Sequence, residues 1–151
     1  MSTKRPYMGG RHHPWVKGID IFSKILNLNN LTIKLVLWDL GGQPHFKQVR
    51  SNFYQGAMGA MLVYDITRRS TFESLESWRK EMLKNTSEEP AVVVIGNKLD
   101  LSNLREVKTE EGRRYAKEIN APFFETSARD GKNVEAAFET LVKMILEKKI
   151  K

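Results

Sequence analysis

Apolar and polar positions alternate along residues 19–28 (IDIFSKILNL), the pair Asn29-Asn30 interrupts them, and a second run follows over 31–39 (LTIKLVLWD). Period-two alternation around an Asn-Asn pair predicts a β-hairpin. Three continuous apolar runs come next, at 61–67 (MLVYDIT), 91–97 (AVVVIGN) and 121–127 (APFFETS). Each is strand-length and lacks alternation, the pattern of parallel strands covered on both faces. Helical patterns separate them. Ser70 with Glu73 predicts a capping box ahead of FESLESWRKEML, Thr109 is placed to cap EEGRRYAKEI, and Asn133 to cap a last helix. In that helix Val134, Ala137, Phe138, Leu141, Val142 and Ile145 recur at helical spacing as one apolar stripe, which core packing explains. Strands alternating with helices predict an α/β fold, a doubly wound, mostly parallel sheet with helices on both faces.

Composition narrows the class. With 151 residues, 40% hydrophobic and 28% charged, the chain has the material for one domain core. The net charge of +7 is spread along the chain with acids interleaved, so solvated faces account for it. Lys4, Arg5, Arg11 and Lys17 precede the first acid and the chain finishes EKKIK, but no specific nucleic-acid partner is expected. The absence of cysteine excludes disulfides, thiolate-bound zinc and a lipid anchor on cysteine within these residues. His12-His13, two adjacent residues, make a poor metal chelate. No run approaches the roughly 18 apolar residues of a membrane span, and MSTKRPYMGG has no apolar signal core. A cytoplasmic monomer is the expectation.

In open α/β sheets ligands sit beyond the carboxyl ends of the strands. Three polar clusters stand at such ends: Asp39-Leu40-Gly41-Gly42-Gln43, Asn97-Lys98-Leu99-Asp100 and Glu125-Thr126-Ser127-Ala128-Arg129. Singly, each reads as well as a turn or an Asx cap. Their joint occurrence in this order favours one shared ligand rim.

LVYDIT, GNKLDL and ETSAR resemble the Rab and Ras branches of the Ras superfamily of small GTPases, and WDLGGQ resembles the switch loop of the Arf and heterotrimeric G-protein form. The resemblance runs from about Gly18 to the end, giving a non-matching segment at 1–17 and a small-GTPase-like domain at 18–151. It implies the P-loop NTPase fold, binding of GTP or GDP with Mg2+, a molecular switch hydrolysing GTP, and effector and regulator proteins as partners. By resemblance, Asp100 accepts the guanine N1–H and exocyclic amine together, a pair of donors that adenine does not offer. Asn97 would hold the base and neighbouring loop, and the Lys98 stem would cover the ring. The Ala128 amide would meet the guanine carbonyl, Ser127 would steady Asp100, and Arg129 stands where the family often has lysine. Asp39 would hold magnesium through water, Gly42 would present its N–H to the γ-phosphate, and Gln43 would orient the attacking water.

Two departures matter. The 151 residues contain no G-x-x-x-x-G-K-[ST] loop, whose amides and lysine cradle phosphates; the one Gly-Lys pair, Gly131-Lys132, has the wrong surroundings. Val16 stands where the family usually carries a magnesium-binding threonine, and Pro44 follows Gln43. The expectation is a GTPase truncated at its N-terminus, its first strand and phosphate loop absent, with weak binding and hydrolysis. The alternative is a pseudo-GTPase that serves as a protein-interaction module.

Overall fold

The Asn29-Asn30 pair does what the pattern asks of it. Both residues have positive φ, 48° and 66°, as a two-residue type I′ connection requires, and asparagine tolerates that region. The turn joins β2 (Ile19–Leu28) to β3 (Leu31–Leu40) in an antiparallel pair from Leu28↔Leu31 to Ile19↔Leu40, and β1 (Gly10–His12) pairs antiparallel with β2. A computed structural model describes residues 10–12, 19–40 and 54–150. The chain divides into two units, Met1–Gln55 and Gly56–Lys151. In the first, register puts Leu26 opposite Ile33 on one face, where Leu26 is buried, and Ile25 opposite Lys34 on the other, where both are exposed.

The second unit is a parallel sheet of order β4-β5-β6, with β4 at Gly59–Asp65, β5 at Ala91–Asn97 and β6 at Phe123–Thr126. Helices α1 (Arg69–Glu73) and α2 (Leu75–Asn85) connect β4 to β5. A 3₁₀ segment (Leu99–Leu104) and α3 (Thr109–Glu118) connect β5 to β6, and α4 (Val134–Ile150) ends the described chain. The continuous apolar run of β5 has a direct explanation. Val94 packs with Leu62, Tyr64, Ile66, Leu75, Val107 and Ala116 on one face, while Ala91, Val93 and Ile95 pack with Ala137 and Leu141 of α4 on the other. Neither face can be polar. Each such buried aliphatic side chain contributes about 1.5–3 kcal/mol. The predicted stripe of α4 is the buried one, with Ala137, Phe138, Leu141 and Val142 all at or below 5% exposure.

Two of the predicted helix starts were misplaced. Ser70 lies inside α1 and the N-cap is Arg68, so the Ser70–Glu73 box does not form. Thr71 ties the start down instead: its hydroxyl donates to Arg68 O at 2.6 Å and accepts from the Asp65 amide at 2.9 Å. The Ser74 hydroxyl donates to Ser70 O at 2.9 Å, a back-bond that competes with the helix ladder, and here one predicted helix divides into α1 and α2. Thr109 is the first residue of α3 rather than its cap. The cap is Lys108, whose amide donates to Glu111 Oε2 at 2.9 Å. Asn133 does precede α4, and its carbonyl accepts from the Ala137 amide, but its side chain donates elsewhere, to Glu125 O at 2.8 Å. For Thr109 and Asn133 a tertiary partner, Glu125, captured a side chain that local reasoning assigned to a cap. Among the described residues no helix is long and apolar enough to cross a membrane.

Candidate functional site

The parallel register aligns two strand ends. Asn97, last in β5, is opposite Asp65, last in β4, and opposite Thr126, last in β6. The chain must then leave the sheet sharply, and Lys98 does so in the left-handed region at φ 73°, uncommon for a lysine. The Leu101 amide closes the turn on Lys98 O at 2.8 Å, which brings Asp100 into the 3₁₀ segment on the same rim. On the β6 side, the Gly131 amide donates to Ser127 O at 2.8 Å and the Ser127 amide to Lys132 O at 3.1 Å, folding residues 127–132 into a closed loop.

Side-chain bonds join the two loops. Asn97 Oδ1 accepts from Thr126 Oγ1 at 3.1 Å and from the Ala128 amide at 3.2 Å. Ser127 Oγ donates to Asp100 Oδ1 at 3.0 Å and accepts from the Asp130 amide at 3.0 Å. Thr126, Ser127 and Ala128 are buried, while Asn97, Lys98 and Asp100 are half-buried and Arg129 exposed. An ionised carboxylate accepts about four hydrogen bonds. Asp100 uses one here among the described residues, so its carboxylate keeps the capacity to accept further donors. The Ala128 amide, assigned by resemblance to the guanine carbonyl, is held by Asn97 at the long end of hydrogen-bond range.

Sequence reasoning missed Asp65. Its carboxylate pairs with Lys98 Nζ at 2.9 Å and accepts from the Thr67 amide at 2.8 Å and the Thr67 hydroxyl at 2.6 Å. Burial by itself pushes this carboxyl up, but the Thr67 hydroxyl, the Lys98 ammonium and the Thr67 amide outweigh it, and the group is held below the ordinary carboxylate value. The Lys98 head is thereby drawn to the end of β4. An acid closing an apolar strand, as in MLVYD, was the available signal.

Five of the residues singled out from the sequence, Asn97, Lys98, Asp100, Ser127 and Ala128, thus come together on one rim of the second unit, with Arg129 next to them in the chain. Asp39 belongs to β3 in the first unit, in register with Asp20. Gly42 and Gln43 lie outside the described residues.

Comparison with protein families matches residues 11–147 to the Ras family. The chain is 44% identical over 131 residues to Ras-related protein Rab-2B of Dictyostelium discoideum, an alignment covering 87% of this chain. It spans 65% of that protein's length. With a parallel sheet flanked by helices and the NKLD and TSA loops bonded to each other at its carboxyl edge, the chain belongs to the Ras family.

Proposed function

We propose that this chain is the guanine-reading part of a GTP/GDP switch, with Asp100 as the group that selects guanine. The observation that carries this reading is the bond from Ser127 Oγ to Asp100 Oδ1, which fixes the carboxylate while leaving its second oxygen an acceptor. Guanine offers two adjacent donors, N1–H and the exocyclic amine; adenine does not. Asn97 holds the opposite loop at Ala128, and the Lys98 stem forms a wall of the base site. In the same reading Asp39 serves magnesium, which when bound neutralises phosphate charge, Gly42 meets the γ-phosphate, and Gln43 orients water. Effector and regulator proteins are the macromolecular partners.

Base recognition supplies about two charge-assisted hydrogen bonds at roughly 1.5–3 kcal/mol each. Association costs consume at least about 4 kcal/mol, so these contacts correspond to millimolar or weaker binding. Without a G-x-x-x-x-G-K-[ST] cradle the 151 residues bind GTP weakly and turn it over slowly. Val16, which brings no oxygen to the switch-threonine position, favours a second reading, a pseudo-GTPase that keeps its surface for protein partners.

The test is a titration of the 15N-labelled chain with GMP and, separately, AMP. Shifts at the Ala128 and Asp100 amides with GMP alone support guanine reading; equal shifts, or none with either, contradict it and leave the interaction module. Calorimetry with GTP and magnesium should give almost no heat. A submicromolar constant would refute the weak-binding part.

A further inference from the structure

Glu125 lies two residues before Ser127, and its side chain bonds none of the five rim residues, yet every one of its oxygens beyond the ordinary backbone ladder is engaged. Oε1 accepts from Arg105 Nη2 at 2.9 Å and from Thr109 Oγ1 at 3.1 Å; Oε2 accepts from Arg105 Nη1 at 2.7 Å; its carbonyl accepts from Asn133 Nδ2 at 2.8 Å. Arg105 Nη1 also reaches Val107 O at 3.0 Å. The pair is largely shielded from water, the Glu125 side chain 11% and the Arg105 side chain 22% exposed.

What these partners have in common is their place in the chain. Arg105 directly follows the 3₁₀ segment that carries Asp100, and Asn133 directly follows the loop that carries Ser127 and Ala128. Each loop has a residue in the left-handed region within it or next to it, Lys98 at φ 73° and Asn133 at φ 63°. Such conformations persist where the surroundings over-determine them. Glu125 bonds to a residue adjoining each of the two loops, Arg105 and Asn133.

We propose that Glu125 is a positioning residue for base selection: through the two-pronged Arg105 pair and the Asn133 bond it sets the separation of Asp100 from Ser127 and Ala128. This rests on the guanine-reading role proposed for Asp100. A carboxylate receives both prongs of a guanidinium, whereas a glutamine of the same shape presents one oxygen and an NH₂ that faces a donor. Shape alone does not replace it.

The test uses the full chain, 15N-labelled, as wild type, Glu125→Gln and Arg105→Lys, with two readouts. One is hydrogen exchange at the Ala128 and Asp130 amides, which bond across and within the rim; the other is preference for GMP over IMP, whose base lacks the exocyclic amine. Both variants should exchange these two amides about tenfold faster, the size of one charge-assisted hydrogen bond, with the Val93 and Val94 amides unchanged. The GMP-over-IMP preference should fall in both. Unchanged exchange at Ala128 and Asp130, or the same acceleration throughout the sheet, overturns the positioning role, since the latter is what a loss of general stability produces. If Glu125→Gln fails to fold, Arg105→Lys, which keeps the charge and loses the fork, decides by the same criterion. A wild type indifferent to GMP would refute the base reading of Asp100, and the exchange readout, which needs no nucleotide, would still decide whether Glu125 sets the two loops.

Discussion

Gly112 shows how tightly single positions are determined. It sits inside α3, where glycine costs a helix about 1 kcal/mol relative to alanine. A Cβ there would come within 2.6 Å of Phe123 Cε1 and closer still to the Tyr64 hydroxyl, so α3 reaches the sheet only without one. Gly112→Ala should therefore lower stability by about 1–3 kcal/mol despite its better helix propensity, read as a fall in the urea midpoint at constant slope. Asp65 is a second such residue. Asp65→Asn removes the charge that holds Lys98 and should cost about 1.5–3 kcal/mol by the same measurement. The role of Gly112 was not legible in the sequence, and that of Asp65 only as an acid closing the apolar run MLVYD. The neighbours of Gly112 are reached only through the packing of a helix on two strands, and Lys98, the partner of Asp65, lies just past the end of β5.

Between elements, α1 is tied to α3 by the forked pair of Arg69 with Glu111, at 2.9 and 2.8 Å, and by Tyr115 stacking edge-on against Phe72 at 6.1 Å. The Arg69 hydrogen bonds, with the Lys108 amide, hold the Glu111 carboxyl down at about 2. A depressed folded value means that this contribution is fully present above the unfolded value of about 4.5 and is lost as pH falls from there through about 2. Asp65, also depressed, acts in the same direction below its own ordinary value of 3.8. Glu111→Gln should accordingly lower stability at neutral pH and flatten its fall between about pH 4.5 and 2, monitored by thermal unfolding across that range. In the hairpin, Asn30→Ala places a Cβ-bearing residue without asparagine's local hydrogen bonding at φ 66° and should cost about 1 kcal/mol, again by thermal unfolding. Elements of this kind were the most legible. Runs of apolar residues located β2 to β6 because periodicity depends on burial alone, and β5 matches the run at 91–97 residue for residue. Two helix starts were less so: Thr71, which the pattern did not single out, holds the start of α1, and Thr109 spends its hydroxyl on Glu125.

At the scale of the whole molecule, the family resemblance was carried by short motifs, and two of them, NKLD and TSA, are joined by hydrogen bonds to their side chains in the second unit. They were readable because Asn97, Asp100, Thr126, Ser127 and Ala128 supply the bonding atoms at or just past two strand ends, where sequence order and sheet order coincide. The supports behind them were not: Arg105 and Glu125 stand 20 residues apart and meet only when α3 and β6 have packed. The central claim is that Asp100 reads the guanine amine and N1–H together. Its most direct test is binding of GMP and XMP to the wild-type chain and to Asp100→Asn, followed at the Ala128 amide. An asparagine replaces one acceptor with a donor, and xanthine replaces the exocyclic amine with a carbonyl, so the preference should reverse from GMP in the wild type to XMP in the variant. A variant that keeps the wild-type order would contradict the account.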